Sequence, residues 1–185
     1  MAFPLKLTLV TAMLLLAACR SDPIHFHTLT PAQVGDHSRT SVGAIQIETI
    51  SVPPQVDRAQ IVIREGNSGL AILESQWWAA TLVDELRSAL ADQLSNSPAQ
   101  GKYSVRVDVQ RFDSVPGQYA LMDVEWRLRS AGIGDTARVI CRSTLQTPSG
   151  ANIDDLVLAQ QNNVKRLAAL ISQAAARPQA DCPSP

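Results

Sequence analysis

The chain has 185 residues, and its 16 Lys and Arg against 17 Asp and Glu give a formal net charge of −1 at pH 7. This balance argues against a nucleic-acid partner, because proteins that bind nucleic acid carry a clustered basic face. The length suits one domain with a hydrophobic core. Beyond the N-terminus, no stretch of the sequence approaches the roughly 20 apolar residues that a transmembrane helix needs.

The N-terminus has the form of a secretory signal. Lys6 is followed by an apolar run from Leu7 to Ala18, which is too short for a permanent membrane span. The run ends in Leu-Ala-Ala-Cys, which resembles the lipobox of bacterial lipoproteins. The resemblance implies a signal peptide over 1–18 and a mature chain that starts at Cys19 and carries acyl chains, palmitate among them. Several chains would anchor the protein stably, since each buried CH₂ contributes about 0.8 kcal/mol. The alternative is an ordinary cleaved signal with a chance cysteine.

The residues after Cys19 predict where the anchored protein lies. Arg20 occupies the position where an aspartate is the usual inner-membrane retention signal of enteric bacteria. The arginine therefore favours the outer membrane, with the protein facing the periplasm. The polar segment 19–41 predicts the lipidated cysteine and a tether. His25 and His27 could face a metal together, but without a clear third ligand nearby we expect no metal site, and we interpret them as the start of a strand.

Two further cysteines remain once Cys19 is assigned to the anchor. Cys141 and Cys182 then form an even pair in a compartment where disulfides persist. A disulfide between them would close a loop of about 40 residues and contribute on the order of 3 to 4 kcal/mol in the chain-entropy model. Two unpaired thiols are the alternative.

Alternating apolar residues predict strands, and leucines that recur every four positions predict a helix. Leu82 to Leu94 gives the clearest helix, for which Ser75 is the expected N-cap. Three strands, a helix, three strands and a helix indicate an α/β fold, with a mixed β-sheet and two main helices packed on it in a single periplasmic domain over 42–185. The predicted strands are 42–52, 61–64, 70–73, 103–112, 118–129 and 137–145, and the final helix is 153–176.

Several segments of this domain are similar to motifs of the ABC-type transport auxiliary lipoprotein family. Two of them depart from the family pattern, because Gln55 stands where the family has tyrosine and Trp77 where it has arginine. The segments are Phe26-His27-Thr28-Leu29, VPPQVDRAQIV over 52–62, WWAATL over 77–82, Arg111-Phe112-Asp113 and Trp126-Arg127-Leu128.

The resemblance carries expectations about fold and function. It implies a three-layer sandwich similar to anticodon-binding domains. It also implies an outer-membrane lipoprotein that works with an MCE-domain protein in an ABC-type system moving lipids across the envelope. A homo-oligomer would suit docking onto a multimeric channel.

Two places in the sequence are candidates for binding a partner. Gln55, Asp57 and Arg58 lie in a loop between predicted strands, and such loops often carry recognition. A purely structural loop is the alternative, with Asp57 capping backbone donors and Arg58 paired locally. At the helix entrance, we expect Trp78 to be buried and Trp77 to be exposed for a lipid or protein contact.

Catalysis has little support in the sequence. It contains no Gly-x-Ser-x-Gly, phosphate-loop or His-Glu-x-x-His motif, and all histidines precede the predicted domain. We therefore expect a non-catalytic accessory component without a cofactor. The alternatives are a lipid-carrying domain with a pocket between sheet and helix, and a purely structural envelope lipoprotein.

Overall fold

The structure is a computed structural model of the chain, and it describes residues 22–32, 45–95, 97, 101–130, 137–177 and 182–184. The predicted signal peptide and Cys19 lie outside these residues. The described elements are β1 His25–His27, β2 Ile45–Ser51, β3 Gln60–Glu65, β4 Gly69–Trp78, α1 Leu82–Leu94, β5 Tyr103–Val115, β6 Tyr119–Ser130, β7 Ala137–Pro148 and α2 Ile153–Ala176.

A large sheet forms the centre of the domain, with the strand order β2-β5-β6-β7 in the described residues. β2 runs parallel to β5, and the other neighbours are antiparallel. Alternation gives the sheet one apolar face, on which Val107, Trp126 and Cys141 lie in register and are buried. Both helices contribute to the core on this face, and the opposite face is lined with charged residues.

Both helices begin at a side-chain cap. In α1 the N-cap is Thr81, whose hydroxyl oxygen accepts from the backbone N–H of Asp84 at 3.3 Å, so the prediction of Ser75 was wrong. Ser75 instead lies in β4, which runs on to Trp78. The N-cap of α2 is Asn152, which accepts from the N–H of Asp155 at 2.7 Å. The leucine stripe of α1 is buried against the large sheet and α2.

A small sheet with the order β1-β4-β3 stands beside the large one in the described part of the chain. β1 is parallel to β4, and β3 and β4 form a hairpin whose turn contains Gly66 at φ 59°. The prediction of a mixed α/β fold with two main helices is confirmed. The strands, however, form two sheets where one was expected. β2 ends before Pro53-Pro54, because proline has no N–H with which to continue a β-ladder. After these prolines, β3 contacts β5 through side chains such as Arg64 and Asp113, so it belongs to a different sheet.

The first strand ties the segment after the predicted anchor to the domain. Leu29 is fully buried, and its backbone N–H donates to the carboxylate of Glu85 in α1 at 2.8 Å. The hydroxyl of Thr28 donates to the same oxygen at 2.7 Å. The predicted tether over 19–41 therefore includes a strand and a core residue of the domain, which begins well before the expected position 42.

The C-terminal tail is joined to the large sheet by a disulfide. Cys141 of β7 bonds to Cys182, and their Cα atoms lie 5.5 Å apart. The loop that this bond closes contains the whole of α2. The chain is therefore fixed to β7 both before and after this helix.

Candidate binding cleft

A cleft opens between the small sheet and the second half of β5. It is small, with a cavity volume of about 40 Å³. Its walls combine apolar and charged side chains, and one of the predicted partner-binding residues, Gln55, is among them. The lining residues are Gln55, Val56, Val62, Arg64, Leu70, Arg111, Phe112, Asp113 and Ser114.

An irregularity in β5 produces this cleft. The pairing with β6 shifts between Val109 and Arg111, so the alternation of side chains changes there. After the shift, Phe112 continues the buried face, while Arg111 and Asp113 point to the side where β3 lies. β2 pairs with β5 only as far as Asp108, which leaves room for β3 beside the second half of β5.

The carboxylate of Asp113 is the electrostatic centre of the cleft. It accepts from Nη2 of Arg64 at 2.8 Å and also from Nη2 of Arg111. The side chain of Asp113 is only 6% exposed, against 27% for Arg64 and 53% for Arg111. A carboxylate this buried needs such partners, because an unpaired buried charge costs several kcal/mol.

Two buried amides on α2 bond to the hairpin of β5 and β6 next to the cleft. Gln160 donates from Nε2 to the backbone oxygen of Asp113 at 3.2 Å, and Asn163 donates from Nδ2 to the backbone oxygen of Ala120 at 3.0 Å. Both amides are fully buried. Neither amide was predicted as a functional residue, although both interrupt the apolar stripe of α2 at positions that face the core.

The loop before β3 forms one lip of the cleft. Val56 is buried, and two backbone hydrogen bonds shape the turn: Val56 N–H to Pro53 O at 3.0 Å and Arg58 N–H to Val56 O at 2.9 Å. Gln55 and Asp57 on either side of Val56 are exposed. Arg58 is half-buried, and its Nε has no hydrogen-bond partner within the described residues. The structure thus gives the loop a fixed backbone and outward-facing polar side chains.

Trp77 lies apart from the cleft. It pairs in register with Phe26 of β1, and the two rings meet edge to face with centroids 6.4 Å apart. The indole N–H of Trp77 donates to the backbone oxygen of Glu74 at 2.9 Å. Trp78 is buried, in agreement with the prediction for it, whereas Trp77, which was expected to be exposed, is half-buried between its strand neighbours. Trp77 therefore does not line the cleft, although its backbone pairs with Gln60, two residues after Arg58.

A second buried carboxylate lies on the charged face of the large sheet. Asp123 accepts from Nε of Arg142 at 3.0 Å and from Nη2 of the same guanidinium at 2.6 Å. This bidentate hydrogen bond holds the pKa of Asp123 below its usual value, against the opposing effect of burial.

We expect this ion pair to contribute stability that depends on pH. Because the pKa of Asp123 is lowered in the folded chain, its contribution is present above the ordinary aspartate pKa and is lost as the pH falls through the lowered value. Arg142→Gln should therefore unfold at a higher pH than the wild type during acid titration followed by circular dichroism. Below both pKa values the two proteins should be equally stable. A stability difference that persists there would contradict the assignment.

The described residues contain no group of three or more His, Cys, Asp or Glu side chains placed to hold a metal ion. Nε2 of His27 lies 2.7 Å from Oε1 of Gln76, and its Nδ1 lies 3.4 Å from a carboxylate oxygen of Asp154.

In the part of the chain that the structure describes, no helix has the length and apolar character needed to cross a bilayer. The cleft presents arginine N–H donors and exposed polar groups beside apolar side chains.

Comparison with known sequences identifies the family. The profile described as "ABC-type transport auxiliary lipoprotein component" matches residues 27–172, which is more than half of the chain. The chain belongs to this family. The match begins in β1 and ends in α2, so it includes both sheets and the cleft. The resemblance seen in the sequence motifs is thereby confirmed, and the protein is an auxiliary lipoprotein of the ABC-transport class.

Solved structures share the fold at low sequence identity. A crystal structure of an uncharacterized protein superposes with a TM-score of 0.62 at 16% identity, covering 82% of this chain and 98% of the other. A crystal structure of a Xanthomonas campestris protein gives a TM-score of 0.61 at 17% identity, covering 71% of this chain and 83% of the other. A search of curated proteins finds no match. At these identities, the two structures show that this auxiliary lipoprotein shares its fold with them.

Proposed function

We propose that this auxiliary lipoprotein is a non-catalytic periplasmic component of an MCE-type ABC system that moves lipids across the envelope. The observation that carries the proposal is the cleft beside the loop at Gln55, in a chain that belongs to the transport auxiliary family. In this proposal Cys19 carries the acyl anchor, and Arg20 after it directs the protein to the outer membrane. The domain then faces the periplasm and holds the end of the transporter.

The partner would dock at the cleft through Gln55, Asp57 and Arg58. Its chemistry can be inferred from Arg64, which lines the cleft, and from Arg58 in the loop beside it. Nε atoms of Arg58 and Arg64 are buried without hydrogen-bond partners in the described chain, and such unsatisfied donors are costly. A carboxylate or carbonyl oxygen on the partner would satisfy them after a small rotation of the arginines. The exposed Leu70 on the rim offers an apolar contact beside these donors.

The carrier alternative needs space for a lipid between sheet and helices. That layer is instead filled by buried side chains, among them Leu86, Val107, Trp126 and Leu167. Docking at the surface cleft requires no such space. Trp77 does not line the cleft and contacts Phe26, so a partner contact at Trp77 would be a separate one.

Crosslinking in intact cells tests the proposal. A photoreactive phenylalanine analogue placed at Gln55 should capture an MCE-domain protein of the envelope. The matched control is the same probe at Gln173, an exposed glutamine on α2 away from the cleft residues. Capture of the MCE-domain protein from position 55 and not from 173 is the expected result. Capture of only lipid, or of only further copies of the same chain, at position 55 would overturn the proposal.

A further inference from the structure

An exposed apolar patch lies where the chain enters the domain. Phe26 is 65% exposed and Ile24 is 47% exposed, and Trp77 contacts Phe26 edge to face. These three residues are here called the aromatic patch. Trp77 keeps its indole N–H bonded to a backbone oxygen, so its ring can lie in an apolar environment without leaving a donor unpaired.

The aromatic patch lies on one face of the small sheet. Phe26, Trp77 and Gln60 are in register across its three strands, so they share this face. Ile24 and Phe26 are exposed, and Trp77 is half-buried beside Phe26. Grouped apolar side chains of this kind mark an interaction surface, in contrast to the single exposed Leu158 on α2.

The distance to the predicted anchor is short. Because β1 belongs to the domain, only the residues from Cys19 to Ile24 separate the acylated position from the aromatic patch. Even fully extended, five residues span about 16 to 18 Å. The inference rests on the anchor in the proposed function: once acyl chains hold Cys19, the patch cannot move far from the bilayer surface.

We propose that the aromatic patch inserts into the interfacial layer of the same membrane that holds the acyl chains. Aromatic rings with a polar handle favour the boundary between headgroups and hydrocarbon. Among the described residues, the polar side chains adjacent to the patch in sequence or register are Asp22, His25, His27, Gln60 and Gln76, none of which is a permanent cation, and Arg20 belongs to the anchor. The contact should therefore depend on apolar insertion and be insensitive to anionic lipid. It would hold the domain in one orientation relative to the bilayer.

Fluorescence quenching by brominated lipid tests the insertion. The full lipidated chain is reconstituted in vesicles of phosphatidylethanolamine and brominated phosphatidylcholine, and tryptophan emission is compared with that in unbrominated vesicles. Trp78 and Trp126 are buried, so quenching should report mainly on Trp77. We expect clear quenching in the wild type and loss of most of it in Trp77→Phe, which keeps an aromatic ring against Phe26. Adding phosphatidylglycerol should leave the quenching unchanged.

The matched control moves the tryptophan to another exposed apolar site. Leu158, 61% exposed on α2, is replaced by tryptophan in the Trp77→Phe background. No quenching at 158 supports the proposal, whereas equal quenching at 77 and 158 would overturn it as non-specific adsorption. A chain that floats with the vesicles but shows no quenching at 77 also overturns it, and leaves the anchor and the docking cleft of the proposed function intact. If the chain does not float with the vesicles, it has no membrane anchor, and both proposals are wrong.

Discussion

Replacing Asp113 with alanine should lower the free energy of unfolding by about 3 kcal/mol. The substitution leaves Arg64, which is mostly buried, without its ion-pair partner, and removing one member of a buried pair typically costs about 3 to 5 kcal/mol. We expect a value at the lower end because Arg111, the other partner, is half-exposed and can turn to water. Urea unfolding followed by circular dichroism measures the change.

The control for this experiment is Asp57→Ala. Asp57 is exposed in the same region and makes no side-chain hydrogen bond within the described residues, so its loss should change stability by less than about 0.5 kcal/mol. Similar losses for the two variants would mean that Asp113 does not organise the cleft. The crosslink from position 55 should also weaken in Asp113→Ala and persist in proteins destabilised to the same extent elsewhere in the core.

Replacing Cys182 with serine should destabilise the domain by about 3 to 4 kcal/mol. The disulfide joins residues 41 apart in sequence, and a loop of that length gives this figure in the chain-entropy model. Buried Cys141 would keep its packing as a thiol, so the effect should come mainly from the unfolded chain. The midpoint of urea unfolding, measured with and without dithiothreitol, reports the change.

The reductant supplies the internal control for the disulfide. Wild-type protein in dithiothreitol should unfold at the same urea concentration as Cys182→Ser, and the variant itself should not respond to the reductant. If dithiothreitol leaves the urea midpoint of the wild type unchanged, the disulfide adds nothing to stability.

Regular elements of the fold were predictable because one periodicity governs each of them. The leucines of α1 and the alternating residues of β5 and β6 lie on the faces that their spacing predicts. β4 was expected to end at Leu73, because Glu74, Ser75 and Gln76 interrupt the apolar run. In the fold, β4 lies between β1 and β3, so backbone pairing on both sides extends the strand through these polar residues.

The cleft was only partly predictable. The loop at Gln55 and the Arg111-Phe112-Asp113 segment both stand out in the sequence, but nothing local shows that they meet. Arg64 and Asp113 are 49 positions apart. The shift in register after Val109 shows in the sequence as a break in alternation between Val109 and Phe112, but that break does not tell which strand Asp113 then faces. Pairing between distant strands is set by the packing of the whole domain, which periodicity within one segment does not contain.

The position of β1 has a mechanical consequence. The chain enters the domain at β1, whose neighbour β4 pairs with β3, and β3 supplies Arg64 and Val62 to the cleft. A pull between an anchor at Cys19 and a partner held in the cleft would therefore load the small sheet first. The hydrogen bonds of Thr28 and Leu29 to Glu85 tie the loaded end to α1. On the cleft side, the ion pair of Arg64 with Asp113 would pass part of the load to β5 of the large sheet.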